Sequence, residues 1–304
     1  DGSADVRNVW RAVESLKNGR SSFKPAVNMT LAKPNGELCT TDRENLEILD
    51  GHFGKVLNID SPFDLSVLDL VKQREIRWDL NDPPTVKEVI TAIKGMRNGK
   101  AAGDSVPVEY LKALIDGDAL DPFLAVVRDF WDNGVCPDMC TAQRMVVLPK
   151  KGDRHNVAKW RGIFLMDLLC KVLSKIFTTR LNSIMKQHGL EYQNGFTAGR
   201  GTPDGTSLLM QTLWKRHEHN QGSWAVFIDL VKAFPSVNRT GLWAVLAKFG
   251  VPPRLLARIE RLHTGVVAKF KMGEDEIEIA NTSGSKQGCP MAAVLFAFLC
   301  QACN

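Results

Sequence analysis

Apolar positions along the chain fall into runs of helical and strand period, separated by Gly, Pro and Asn punctuation. Spacing near 3.6 residues predicts amphipathic helices over residues 46–58 and 85–98, the second opening after Pro83 and Pro84. Helical patterning continues over 108–114 and 121–133, and a short strand is expected at 144–148. Asp167 is placed to cap a long helix with Leu169, Leu173, Ile176, Phe177, Leu181 and Ile184 on its apolar face, and Gly189 is a fitting stop. Its cations, Lys171, Lys175, Arg180 and Lys186, are expected to face mostly outward into solvent. A further helix is read over 206–217. Residues 224–228, Trp-Ala-Val-Phe-Ile, form a continuous apolar run and read as a buried strand ending at Asp229. A turn follows, then a helix with Leu242, Leu246 and Phe249 on one face. Residues 266–271 and 276–280 alternate about Gly273 and predict a hairpin. Residues 1–45 are polar, with a short helix and loops expected.

Composition narrows the picture modestly. A chain of 304 residues with 44% hydrophobic content can bury a substantial core in one or two domains. The formal net charge of +5 permits local contact with nucleic acid without requiring it. The longest apolar run, 291–299, is too short for a bilayer, which needs about 20 residues. Seven cysteines in no regular framework argue for free thiols in a reducing, intracellular setting. Cys136 and Cys140 straddle a proline turn, and Cys300 and Cys303 sit in an apolar run, so neither pair reads as a zinc site.

The candidate chemistry starts at Asp229. An acid at the end of a buried strand is a place where a fold can hold a divalent cation with little freedom, as phosphoryl transfer demands. The segment Phe227-Ile-Asp229-Leu230-Val-Lys232-Ala-Phe234 resembles the first catalytic motif of reverse transcriptases of non-LTR (LINE-type) retrotransposons. Gly284 with Gln287-Gly288-Cys289-Pro290 resembles the family's Gln-Gly motif before an apolar helix. Pro149-Lys150-Lys151 with Trp160-Arg161-Gly162 resembles the fingers segment whose basic residues hold the incoming triphosphate. Gln193 to Asp204, Asn98 to Glu109, and the helix containing His52-Phe53 resemble further blocks in the family's order, together covering residues 46–304.

The resemblance implies an α+β fold, the fingers and partial palm of a right-hand polymerase, lacking the hairpin with the second aspartates and the thumb. It divides the chain into an extension at 1–45, a fingers-like region at 46–220 and a partial palm at 221–304. It implies a fragment of an RNA-directed DNA polymerase using Mg2+, deoxynucleoside triphosphates, RNA template and DNA primer, in nucleus or cytoplasm. Asp229 and the Leu230 carbonyl would hold metal; Lys150, Lys151 and Arg161 would hold the triphosphate. Phe234 would test the sugar, with Gln287 and Gly288 shaping the base-pair pocket. Plainer readings stand beside these: Asp229 as a helix cap, Phe234 as core, Gln287 as a helix-start hydrogen bond. Pro235 departs from the family's usual aspartate, Phe164 from a small hydroxyl residue, and the block at 103–105 is short by about one residue. No adjacent pair of aspartates occurs in the chain, so the polypeptide alone is expected to be inactive. The rival expectation is a non-catalytic structural or binding subunit of a larger assembly. Either way, the strand at 224–228 is expected to be covered by later residues of the same polypeptide, by a partner protein or by another copy.

Overall fold

The computed structural model describes residues 29–100, 103, 106–189, 191–197 and 199–303. The expected helix and loops before residue 29 lie outside the described residues. Among the described residues the fold is mixed α/β with one small sheet of four strands in the order β2-β1-β3-β4. Strand β1 (Ala142–Pro149) pairs antiparallel with β2 (Trp160–Leu165) and parallel with β3 (Val266–Met272), which forms a hairpin with β4 (Asp275–Asn281). The sheet therefore joins strands from either side of residue 221.

Alternation decides which face of the sheet is covered. Gln143 and Met145, Trp160, Gly162 and Phe164, then Val266, Ala268 and Phe270 are buried at period two. Helix α1 (Asp42–Leu57) lies on this face and supplies Leu46, Leu49, Phe53 and Leu57, one helical stripe, with the Phe53 ring 5.3 Å from that of Phe270. Its start is fixed by a capping box, Glu44 N–H donating to Thr41 Oγ1 while the Glu44 carboxylate accepts from the Thr41 N–H.

A second core is helical. It collects α2 (Val86–Lys94), α3 (Val108–Asp116), α4 (Asp121–Asn133), α6 (Leu168–His188), α8 (Arg239–Lys248), α9 (Pro253–Arg261) and α10 (Ala292–Ala302), with the short α5 (Asp138–Thr141) leading into β1. Helix α6 is the axis, and the six apolar residues expected on its inner face are all buried. One of its cations departs from expectation. Arg180 is 5% exposed, because Glu88 and the carbonyls of Leu80 and Asp82 satisfy its guanidinium and the Trp131 ring stacks on it at 5.1 Å. The free-thiol expectation is also corrected at one pair: Cys140 and Cys170 are bonded.

The largest departure is at residues 224–228. The expected buried strand is absent: the segment 221–230 has no regular structure, and Trp224, Val226, Phe227 and Ile228 are all more than four-fifths exposed. A strand needs a partner for its alternating donors and acceptors, and no described strand lies beside this one. The preceding helix, α7 (Thr202–Glu218), likewise has no buried residue. Among the described residues no helix is long and apolar enough to cross a membrane.

Candidate functional site

The tip of the β1–β2 hairpin is closed by the Lys150 N–H donating to the Lys159 carbonyl at 2.7 Å, and the register sets Leu148 opposite Arg161. Residues 281–288 then run across the mouth of this hairpin. They are held from one side by residues 234–237: Gly284 N–H donates to the Val237 carbonyl and Ser285 N–H to that of Phe234. On the other side Phe164 N–H donates to the Gln287 carbonyl at 2.8 Å. Both glycines are needed for this path. At Gly284, with φ +71°, an added Cβ would lie 2.6 Å from the Pro235 carbonyl oxygen; at Gly288, with φ +104°, it would lie 2.5 Å from that of Phe164.

Two cations, Arg239 partly buried and Lys286 fully buried, brace the same segment. Arg239 donates to the carbonyls of Asn281, Ser283, Gly284 and His263 and to Asn281 Oδ1. Burial lowers its pKa to about 10. Lys286 is 1% exposed and donates to the Leu262 carbonyl at 2.8 Å, and burial lowers its pKa to about 8. Sequence reasoning missed both, since lysine and arginine are ordinarily surface residues and nothing local marks these as buried.

The result is a cavity of about 270 Å³ whose lining includes His52, Lys150, Arg161, Lys232, Ser283, Ser285 and Gln287. Among the described residues no carboxylate lines it. Its positive field registers on its own members. The Lys150 ammonium is held below its usual pKa by burial and by Arg161, Lys159 and Lys232. His52 is lowered by burial and by Lys232, Lys150 and Lys55. Such a site suits a phosphate-bearing anion: a guanidinium can grip phosphate oxygens with two hydrogen bonds, while ammonium groups act as point charges.

Of the residues singled out in the sequence, Lys150, Arg161 and Gln287 meet in this cavity. Gly288 lies behind it, against β2. Lys151 is exposed in the hairpin turn and outside the lining. Phe234 is half-buried, with the Phe296 ring at 5.1 Å and that of Phe196 at 6.2 Å. Asp229 and Leu230 lie in the exposed segment, away from the lining. Sequence reasoning missed Lys232, Ser283 and Ser285, although Lys232 stands inside the motif that contains Asp229. Among the described residues no three His, Cys, Asp or Glu side chains gather as a metal cage. One acid cannot hold a pair of ions, so the described residues do not fit a complete two-ion centre.

Residues 148–303, more than half of the chain, match the reverse transcriptase (RNA-dependent DNA polymerase) family. Relatives agree. The RNA-directed DNA polymerase from the mobile element jockey of Drosophila funebris is 23% identical over 306 residues, covering 97% of this chain and 32% of that protein. The retrovirus-related Pol polyprotein from the type-1 retrotransposable element R2 of Popillia japonica is 25% identical over 220 residues, 70% of this chain and 29% of that protein. The transposon TX1 uncharacterized 149 kDa protein of Xenopus laevis is 25% identical over 241 residues, 77% of this chain and 18% of that protein. The chain belongs to the reverse transcriptase family, and it spans less than a third of the length of these relatives. Enzymes of this family use divalent metal ions and act on nucleic acid with nucleotide substrates.

Proposed function

We propose that the chain is the fingers (46–220) and partial palm (221–304) of an RNA-directed DNA polymerase of a retroelement, and that its basic cavity holds the triphosphate of an incoming deoxynucleotide. Residues 1–45 are assigned to neither region, although Leu31 and Cys39 pack into the core under the sheet. The observation that carries this reading is the convergence of Lys150, Arg161, Lys232 and Gln287 on one cavity with no acid in its lining among the described residues. Lys150 and Arg161 would neutralise phosphate charge, and Gln287 would define the wall beside the base pair. Phe234 would limit the sugar, and Lys151 would approach the phosphates from the hairpin turn. In the assembled enzyme, Asp229 and the Leu230 carbonyl would hold Mg2+, which supplies charge neutralisation for nucleotidyl transfer. RNA template and DNA primer are the remaining partners, in nucleus or cytoplasm.

One observation favours a second reading. The exposed apolar run from Trp224 to Val231 suits a chain that works against another polypeptide, whether further polymerase residues, a partner protein or another copy. A non-catalytic subunit of a larger assembly would show the same surface. Calorimetric titration with deoxynucleoside triphosphate separates the readings. Binding that falls at least about tenfold in Arg161→Ala, roughly 1.4 kcal/mol, supports the triphosphate site. Absence of binding, or unchanged affinity in that variant, refutes it.

A further inference from the structure

Helix α1 brings a group to the basic cavity that the triphosphate reading leaves without a role. His52 lines the cavity together with Lys150, Arg161 and Lys232. Its position is fixed by the helix: Leu49 and Phe53, three residues before it and one after, are buried in the core under the sheet. The imidazole meets the Phe53 ring edge-on, with centroids 5.0 Å apart, and is half-buried. We infer that His52 is a binding residue of this cavity that takes up a proton when a polyphosphate anion enters, so that anion binding is coupled to pH. The inference rests on the triphosphate reading of the cavity.

The charges around His52 make the case. Lys55 faces it from its own helix, Lys150 from the end of β1, and Lys232 from the turn after Asp229. Arg161 of β2 lines the same cavity, and the remaining polar lining, Asn281, Ser283, Ser285 and Gln287, is neutral. In the empty cavity, burial and the lysines Lys232, Lys150 and Lys55 hold the imidazole pKa below its ordinary value and so favour the neutral ring. A triphosphate brings several negative charges and reverses the field. The neutral ring has one donor nitrogen; the protonated ring has two and forms a charge-assisted bond to phosphate oxygen. The His52 pKa must then be higher in the complex than in the free protein. The sign follows by linkage: the proton's contribution to binding is fully present below the free-state pKa and is lost as pH rises through the bound-state pKa. Deprotonation would thus weaken the hold on a phosphate product, and acidification would tighten it.

Inorganic triphosphate is a suitable probe, used with the whole chain. Titrating it calorimetrically at pH 6.5 in two buffers of different ionisation enthalpy gives the protons taken up on binding. The wild type should take up a substantial fraction of a proton, at most about one, more than His52→Gln, and the variant's affinity should change less between pH 6 and 8. Comparison with the variant removes the probe's own titration. Equal proton uptake in the two proteins overturns the role of His52 while leaving the triphosphate site standing. No binding by the wild type at any pH overturns both. If the variant does not fold, the imidazole proton resonance of His52 in the wild type serves instead. Its midpoint should rise by at least about one pH unit, a tenfold coupling, on saturation with triphosphate. An unmoved midpoint refutes the proposal.

Discussion

Arg180 and Arg161 show how burial decides what a guanidinium does. Arg161, on strand β2, lines a cavity with no carboxylate among its described lining residues, so its donors remain for a ligand. Arg180 points into the helical core, where Glu88 and backbone carbonyls satisfy it. Removing it would leave the Glu88 carboxylate, only 30% exposed, without its counter-charge. Arg180→Ala should therefore lower the unfolding free energy by about 2–4 kcal/mol in urea titration, whereas Arg161→Ala should lower it by less than about 0.5 kcal/mol. Burial alone would raise the Glu88 pKa, but hydrogen bonds from Arg180 and the Thr85 N–H outweigh it and hold the carboxyl below 4.5. A depressed carboxylate pKa contributes stability above its unfolded value and loses it as pH falls through the folded one. Stability in the wild type should thus decline as pH falls below about 4.5, and Arg180→Ala should flatten that limb. Gly288 makes a similar demand through the backbone. Gly288→Ala must either push the Phe164 carbonyl away or abandon φ +104°, and about 1–3 kcal/mol should be lost together with triphosphate affinity.

At the scale of elements, α7 and the segment after it stand apart from both cores. Leu209, Leu213 and Arg216 line a shallow cavity with residues 222–227, and this is the shelter the apolar run has. Replacing Val226 and Ile228 together by Lys should leave the melting temperature unchanged, since neither side chain is buried. The same change should reduce self-association in light scattering. A fall in melting temperature would mean that the run packs in solution after all. Helices α1, α4, α6 and α8 and the β3–β4 hairpin were legible in the sequence, because each completes its own apolar stripe or alternation within one segment. Strand β2 was not: its core face is Trp160, Gly162 and Phe164, and a glycine in the middle breaks the apolar pattern. Helix α9 was hidden for a different reason. Its core face is only Leu255 and Ile259, set among arginines that reach across to the carbonyls of Trp131 and Gly134. The run at 224–228 shows the converse, a local pattern that asks for burial which no described neighbour provides.

Across the whole molecule, charge is not spread as the sequence total implies. A net charge of +5 is small for a chain of 304 residues, yet Lys55, Lys150, Lys159, Arg161 and Lys232 are close enough for several to perturb one another. The sequence marked Lys150, Arg161 and Gln287 through their motifs, but the cluster depends on backbone crossings: the Gln287 carbonyl on β2, and residues 284–285 on the turn at 234–237. No local signal encodes those crossings. Arg180, Arg254 and Arg258 by contrast are engaged with Glu88, Asp132 and the Trp131 carbonyl. Binding of a duplex should therefore run through few cations and respond steeply to salt, each neutralised phosphate adding about 0.9 to the slope of log affinity against log salt. Four such contacts correspond to a slope near about −3.6 and a roughly 150-fold loss between 50 and 200 mM salt. Replacing Lys150 and Arg161 together by Ala should reduce the slope by about 1.8, as measured by fluorescence anisotropy of a labelled RNA–DNA duplex. A slope unchanged by that double substitution would place the nucleic-acid backbone elsewhere on the molecule. Tight binding that persists at high salt would point instead to apolar contacts, for which the exposed Trp214, Trp224 and Phe227 are the first residues to test.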